Sequence, residues 1–558
     1  MLTAGTTGWS KAPPNFFGRN AASGSCGDYS VTLGHGSTLW VKQLATRGCR
    51  LTDCRTGAWA TVPDVLAHMP DLLPDGRRDL RFVVIGAGVS GILAVIRLRE
   101  RGFQNVTVYE KASRLGGTWR ENRYPGVACD VPSVLYSYSF APNPEWSRRF
   151  SSGAEIQAYL EKVATDFDVE QSIVYDEEVI QAIHDGHRWH LRTDSGRDDE
   201  ADVILAATGI FHHPFMPALD GLGDFSGDVF HTASWNESLS LDGRRVGIVG
   251  TGSSAVQTVG AIVDEVDALV LFQRTAQWVL PQNNNVYTDE EKAAFRSDPA
   301  IQIRLHDEVS ELFAEGFANA VVDAESPALA KIAQMCHENL LTVTDPDLRA
   351  RLTPDHRAAC KRLVVAEGFY DAIQRPNASL VSEGIARIET GGVRTVDGVL
   401  HEIDVLVLAT GFQVDQFLRP MEVVGPTGVK LSEAWAERPI AYLSMTVPGL
   451  PNLFMVNGPN GPVGNFSLIE VAELQVEYSL QLVDYIAAGD FRLVAPSVEA
   501  TESHEEARIQ AAGKTVWATG CKSWYLDDRG VPMAWPWSFR EFQRRMSTPD
   551  LDSYVLTN

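Results

Sequence analysis

A chain of 558 residues with 44% hydrophobic and 22% charged side chains has the make-up of an ordinary soluble globular protein, and its length predicts about two to four domains. Its net charge of −24 excludes non-specific binding to nucleic acid or to an anionic membrane. No apolar run reaches the roughly 18 residues of a membrane span, no basic-then-apolar leader opens the chain, and no metal-binding pattern is read. Seven cysteines, odd in number and scattered, point to a reducing compartment rather than a disulfide framework, with the cytoplasm as the default.

Residues 1–75 are rich in Gly, Ser and Thr without sustained periodicity. They read as a flexible extension, or as sequence upstream of a start such as Met69. From there the pattern sharpens. Phe82-Val83-Val84-Ile85 reads as a strand that breaks into Gly86-Ala87-Gly88-Val89-Ser90-Gly91. A helix follows (Ile92, Val95, Ile96, Leu98), then a β-branched strand, Val106 to Tyr109, ending at Glu110. Strand, glycine turn, helix and strand, with an acid 24 positions after the first glycine, are the parts of a dinucleotide-binding unit. Gly86 makes the tight turn, Gly88 lets the backbone approach a pyrophosphate, and Gly91 lets helix and strand pack closely. The helix N-terminus offers free N–H groups to the phosphates, and Glu110 can accept hydrogen bonds from a ribose.

Arg114 to Trp119 and Asn122 to Gly126 are loops by their glycine and proline content, and loops after such a strand face the ligand. Asp130, in Cys129-Asp130-Val131-Pro132, reads either as a turn cap or as an active-site acid. A helix (Ile156, Leu160, Val163) and alternating strands lead to a buried strand, Val203 to Ala207, that runs into Thr208-Gly209.

A second dinucleotide unit follows: Val246 to Val249, then Gly250-Thr251-Gly252-Ser253-Ser254-Ala255, a helix, and Leu269 to Phe272. It ends in Gln273-Arg274-Thr275. An acid there would repel a ribose 2′-phosphate, so Arg and Thr favour NADP over NAD; the alternative for Arg274 is a solvated surface charge. Thr288 to Asp355 is helical, opened by a Thr288/Glu291 capping box. Its stripe of Leu305, Val309, Leu312, Phe313 and Phe317 reads as core packing. After Lys361-Arg362, the strand Val405 to Ala409 runs into Thr410-Gly411-Phe412, repeating Ala207-Thr208-Gly209 as though the chain crossed twice between domains. A long helix, Leu468 to Ala488, precedes a Trp- and Pro-rich tail.

Two dinucleotide units mean that two nucleotide cofactors meet, and the usual pairing is a flavin with a nicotinamide. The unit ending in an acid suits FAD, and the unit ending in Arg274 suits NADPH. This leaves the electron acceptor open among a disulfide, oxygen, a quinone, or oxygen plus an organic substrate. Cys49 and Cys54 have the spacing of a flavin-linked redox disulfide, but such a pair follows the first dinucleotide loop and here precedes it, so chance explains it. The predicted fold is α/β, with two Rossmann-like dinucleotide-binding domains (FAD and NADP) and a helical insertion in the NADP domain. The expected boundaries are a flexible extension over 1–75, the FAD domain over 76–212 and 401–558, and the NADP domain over 213–400 with its insertion at 286–358.

The pattern Phe225-x-Gly227-x3-His231-x3-Trp235, just before the second glycine loop, resembles the fingerprint of Baeyer–Villiger monooxygenases. Gly116-Gly117-Thr118-Trp119, Tyr124-Pro125-Gly126 with Cys129-Asp130, Ala409-Thr410-Gly411-Phe412 and Ser523-Trp524-Tyr525 resemble the same family. The likeness runs over roughly residues 80–545. A Tyr or Phe at position 235 would have pointed to the N- and S-oxygenating flavin monooxygenases; Asn236 departs from the Pro or Asp usual after the tryptophan. The resemblance implies that NADPH reduces FAD, that oxygen adds to give a flavin C4a-peroxide, and that this attacks a ketone to yield an ester or lactone. It implies that Arg362 is catalytic and that Asp130 pairs with and positions it beside the flavin. Gly117, Thr118, Trp119 and Tyr136 would contact FAD. Gly250, Gly252, Ser253 and Ser254 would hold NADP, with Arg274, Thr275 and Lys361 at its 2′-phosphate. His231 and Trp235 would order the closed state from an interdomain linker, and Trp524 would lie on a mobile loop near substrate. The segment Asn460 to Phe466 and the tail would line the pocket. An amine N-hydroxylase, an NADPH oxidase and a nucleotide-sensing protein are the rival readings.

Overall fold

The computed structural model describes residues 76–464 and 466–558 and, before them, the backbone of four strands. Those strands, β1 (Asp28–Leu33), β2 (Ser37–Gln43), β3 (Cys49–Thr52) and β4 (Trp59–Thr61), pair antiparallel in chain order. They belong to a unit of their own, Met1–Asp79. Up to residue 75, the remainder of the extension expected over 1–75, with Cys54 of the Cys49/Cys54 pair, lies outside the described residues.

The second unit, Leu80–Asn558, opens with β5 (Phe82–Ile85), α1 (Val89–Glu100) and β6 (Val106–Tyr109), as the glycine pattern predicts. Helix α2 (Gly153–Asp166) is capped by the Ser152 hydroxyl, which accepts the Glu155 N–H. It leads to β7 (Ile173–Val174), the antiparallel trio β8 (Val179–His184), β9 (Trp189–Thr193) and β10 (Asp198–Ala201), and the buried β11 (Val203–Ala206). The second nucleotide unit comprises β12 (Asp228–His231), β13 (Arg245–Val249), α3 (Ser253–Ile262) and β14 (Ala268–Phe272). After β15 (Val279–Pro281) the chain is mainly helical, with α4 (Asp289–Ser297), α5 (Pro299–Phe313), α6 (Pro327–Leu340) and α7 (Pro346–Leu352) as its longer helices. The Thr288/Glu291 capping box is formed as read. Strands β16 (Val364–Ala366), β17 (Ala378–Val381), β18 (Val405–Leu408) and β19 (Leu453–Met455) and the helix α8 (Leu468–Ala488) follow.

Two parallel five-stranded sheets result. The first runs β19-β11-β5-β6-β7 and the second β12-β18-β13-β14-β17. All four residues of β5, β11 and β18 are buried, as parallel strands covered on both faces require. The Ala-Thr-Gly repeat has a shared geometric cause. β11 lies beside β5 and β18 beside β13, so Ala207 and Ala409 each follow the strand next to a glycine loop. A Cβ on Gly86 (φ +100°) would meet the Ala207 carbonyl oxygen at 2.6 Å, and one on Gly250 (φ +120°) the Ala409 oxygen at 2.3 Å. Each turn is thus pressed onto the carbonyl of its neighbouring strand. Gly91 acts as expected, since a Cβ there would sit 1.9 Å from the Gly86 oxygen.

Two expectations fail. Most of the stripe on α5 and the turn after it is not core: Leu312 is 73% exposed, Leu305, Val309 and Phe313 are half-buried, and only Phe317, itself half-buried, packs against a buried cluster. Helical spacing marks a face but not what that face meets. The cysteines are not all unpaired, because Cys360 and Cys521 form a disulfide across 161 residues. Count and spacing say nothing of a pairing that depends on tertiary proximity.

Two predictions follow from the packing. Gly91→Ala places a methyl group against backbone that cannot rotate away, so stability should fall by about 1–3 kcal/mol; an unchanged melting temperature would contradict the close approach. His184 is buried against Trp189, and its Nδ1 accepts the Gly186 N–H. Burial lowers its pKa from 6.5 to about 4. The folded state therefore binds this proton less readily than the unfolded chain, and stability is lost as pH falls from 6.5 towards 4. His184→Asn, which keeps an acceptor without a titrating ring, should show a shallower fall in melting temperature over that window. Parallel profiles would remove His184 as a contributor.

Candidate active site

Both glycine loops open into one cleft of about 1600 Å³, larger than the roughly 300–1,000 Å³ of a pocket for one small ligand. On the first side, Gly88 and Gly117 face each other: a Cβ on Gly117 (φ +53°) would lie 3.1 Å from the Gly88 Cα. That is a cradle side chains would fill, and it fits a pyrophosphate lying along bare backbone. Glu110 is buried at the cleft wall. Its Oε2 accepts the Ala87 N–H at 2.8 Å and its Oε1 the Ala112 N–H at 3.0 Å, with Arg120 at 3.3 Å. The acid thus braces the glycine turn as well as facing the ligand space. Thr118 and Trp119 line the cleft. The Trp119 Nε1–H donates to the Tyr136 hydroxyl at 3.2 Å, and burial pushes the Tyr136 pKa up, keeping it neutral.

On the second side, the Thr251 hydroxyl donates to the Thr275 carbonyl at 2.7 Å, fixing the loop against the end of β14. Nothing stands within 4 Å of a Cβ built on Gly252, so this turn faces open space, beside Ser253 and Ser254 at the start of α3. Arg274, Thr275 and Lys361 share the wall. Burial lowers the Lys361 pKa, opposed by Asp355 and reinforced by the charge of Arg274. Two cations held near one another suit a doubly charged anion between them.

The halves meet through the loop after Trp119. A Cβ on Gly126 (φ +81°) would strike the Gln257 carbonyl at 2.6 Å, so this glycine lets the loop seat on α3. The Tyr124 hydroxyl donates to Gln257 Oε1 at 2.8 Å, and Gln257 Nε2 donates to the Ala128 carbonyl at 3.0 Å. Asp130 is thereby carried to Arg362, whose Nη2 lies 2.6 Å from the Asp130 Oδ2. The two side chains are 27% and 24% exposed, both in the cleft wall. The charge of Asp130 raises the Arg362 pKa still further, so the guanidinium is a permanent cation.

His231 and Trp235, expected in an interdomain linker, stand outside this cleft. His231 is buried and its ring contacts Phe412 at 5.9 Å, while Trp235 packs on Phe230 at 4.9 Å; neither lines it. Trp524 does line it, 40% exposed, with Phe211 at 6.5 Å. Of the Asn460 to Phe466 segment, Val463, Gly464 and Phe466 line it. Phe313 and Phe317, assigned to core in the sequence, are wall residues. The π-turn Ala314–Ala318 follows Phe313 and contains Phe317, and such turns frequently mark functional sites. Tyr525 was also missed as a neighbour of Arg362: its hydroxyl stands beside the guanidinium, both crowding the Cβ position of Gly464, a contact between positions 163 residues apart that no spacing announces.

The model of the flavin-binding monooxygenase-like family matches residues 79–423. An uncharacterized monooxygenase of Mycobacterium tuberculosis is 44% identical over 475 residues, covering 85% of this chain and 95% of the relative. A Baeyer–Villiger monooxygenase of Streptomyces coelicolor is 39% identical over 487 residues, covering 85% and 92%. The solved structure of an oxidized steroid monooxygenase bound to NADP superposes with a TM-score of 0.77 at 31% identity, covering 86% of this chain and 99% of that one. The chain belongs to the flavin-binding monooxygenase-like family, as a Baeyer–Villiger-type monooxygenase.

Proposed function

We propose that the chain inserts one oxygen atom beside the carbonyl of a ketone: ketone, O2, NADPH and a proton give an ester or lactone, NADP+ and water. The observation that carries this reading is the Arg362–Asp130 pair, 2.6 Å apart in the wall of a cleft reached by both nucleotide loops. When bound, FAD supplies the oxygen-activating redox centre and NADPH the hydride. The chain's own residues supply binding and electrostatics. Gly86, Gly88 and Gly117 leave room for the FAD pyrophosphate, Gly91 lets the helix behind them pack against the turn, Glu110 turns towards the ribose, and Thr118, Trp119 and Tyr136 wall the other end of FAD. Gly250, Gly252, Ser253 and Ser254 receive the second pyrophosphate, with Arg274, Thr275 and Lys361 around the 2′-phosphate.

Arg362 stabilises negative charge that develops on oxygen as the ketone carbonyl becomes tetrahedral. An always-charged planar guanidinium does this at any working pH, where a lysine beside burial and other cations would lose its proton. Asp130 fixes the guanidinium orientation and offsets its desolvation. Trp524, Phe313 and Phe317 present apolar surface to the carbon skeleton and keep water from the reacting carbonyl. His231 takes no proton in this scheme, because burial lowers its pKa and it stands outside the cleft.

Arg362→Ala should still purify yellow while ester formation falls at least about a hundredfold, the loss expected for a preorganised charge at a developing oxyanion. Ester formation at the normal rate would remove Arg362 from the chemistry. Arg274→Ala should raise the Michaelis constant for NADPH by about tenfold, the scale of one charge-assisted phosphate contact, and that for NADH little. Equal effects on the two would remove Arg274 from the 2′-phosphate site.

A further inference from the structure

The segment that carries Trp524 is tied to the segment that carries Arg362 at two points. The first is covalent: Cys521 and Cys360 are both buried, with Cα atoms 6.2 Å apart in their disulfide. The second lies four residues on from Cys521 and two on from Cys360, where the Tyr525 hydroxyl stands beside the Arg362 guanidinium. Gly464 closes the third side. A Cβ there would lie 1.9 Å from the Tyr525 oxygen and 3.0 Å from Arg362 Nη1, so phenol and guanidinium share a slot that only a glycine leaves open. The Tyr525 ring is itself 3% exposed, packed against Trp517 at 5.4 Å and Trp524 at 4.2 Å.

We propose that Tyr525 is a positioning residue that fixes the orientation of Arg362, and that the Cys360–Cys521 disulfide holds Tyr525 in register to do so. A guanidinium gripped only at Nη2 by Asp130 can still turn about that contact. A second partner beside Nη1, supplied from another element, fixes its plane, and a catalytic group gains from being held within tenths of an ångström of its working place. The disulfide joins the residue two before Arg362 to the residue four before Tyr525, so the two sides of this contact cannot drift apart. Trp524 is seated by the same anchor and is tethered at its base. This inference rests on the reading of Arg362 as the charge that stabilises the ketone adduct.

The test uses the FAD-loaded full chain and three variants, Tyr525→Phe, Cys521→Ser and the double. Tyr525→Phe keeps the ring and removes only the hydroxyl. It should lower kcat for ester formation by about tenfold, the effect of one hydrogen bond to a charged group. It should also raise the share of NADPH oxidation that ends as hydrogen peroxide, and leave the Michaelis constant for NADPH unchanged. A merely structural role would not produce that split. Cys521→Ser should shift kcat and peroxide in the same direction and speed tryptic cleavage after the exposed Lys522. The double variant should be no worse than Tyr525→Phe alone. Unchanged kcat and peroxide share in Tyr525→Phe would overturn the positioning role, and wild-type cleavage at Lys522 in Cys521→Ser would overturn the part given to the disulfide. Arg362→Ala alongside separates this from the reading beneath it: ester formation surviving there sinks the role of Arg362 itself, whereas its loss there with Tyr525→Phe unaffected sinks only the inference about Tyr525.

Discussion

A guanidinium and a carboxylate 232 positions apart, held at 2.6 Å, are the contact that the rest of this structure arranges. Neither charge would sit in a cleft wall alone without a large desolvation penalty, and removing one partner leaves the other uncompensated. Asp130 arrives on a loop that can reach α3 only because Gly126 lacks a side chain. Arg362 arrives just before β16, which pairs in parallel with β15 and so fixes the approach from the other side. Each nucleotide half therefore brings one member of the pair, and their meeting depends on how the halves dock.

The two halves solve the same steric problem twice. In each, a glycine turn is pressed against the carbonyl of an alanine at the end of the adjacent strand, at spacings a Cβ would not tolerate. They differ at the end of the second strand of each unit, with Glu110 buried after β6 and Arg274 exposed after β14. In a chain of net charge −24, Arg274 and Lys361 make a local positive field on the cleft wall, and under the proposed function that local field is what a doubly charged phosphate meets. Lowering of the Lys361 pKa by burial and by Arg274 marks the place where positive charge is concentrated without a full set of protein counter-charges.

The dinucleotide units were legible because their logic is local. Glycines, the acid at Glu110 and the Arg274-Thr275 ending sit at spacings set by strand and helix geometry, and the strands β5, β11, β13 and β18 followed from apolar runs. Family likeness then pointed to Arg362 and Asp130, which no spacing in the chain connects. What stayed hidden depends on contacts between distant segments. The Phe313 and Phe317 stripe has the period of a helix face, and period alone does not tell a core from a cleft wall. The hydroxyl of Tyr525 reaches Arg362, and Cys521 reaches Cys360, only after the tail folds back over the second unit. Gly464 carried no sign of its role, since the atoms that would crowd its Cβ come from two other segments.

The most direct test of the central claim is mass-spectrometric product analysis of the purified protein with FAD, NADPH, labelled oxygen gas and a panel of ketones, amines and sulfides. The account predicts an ester or lactone carrying one labelled oxygen, formed with NADPH oxidation. Labelled oxygen recovered only in N-oxides, hydroxylamines or sulfoxides, with every ketone returned unchanged, would contradict it.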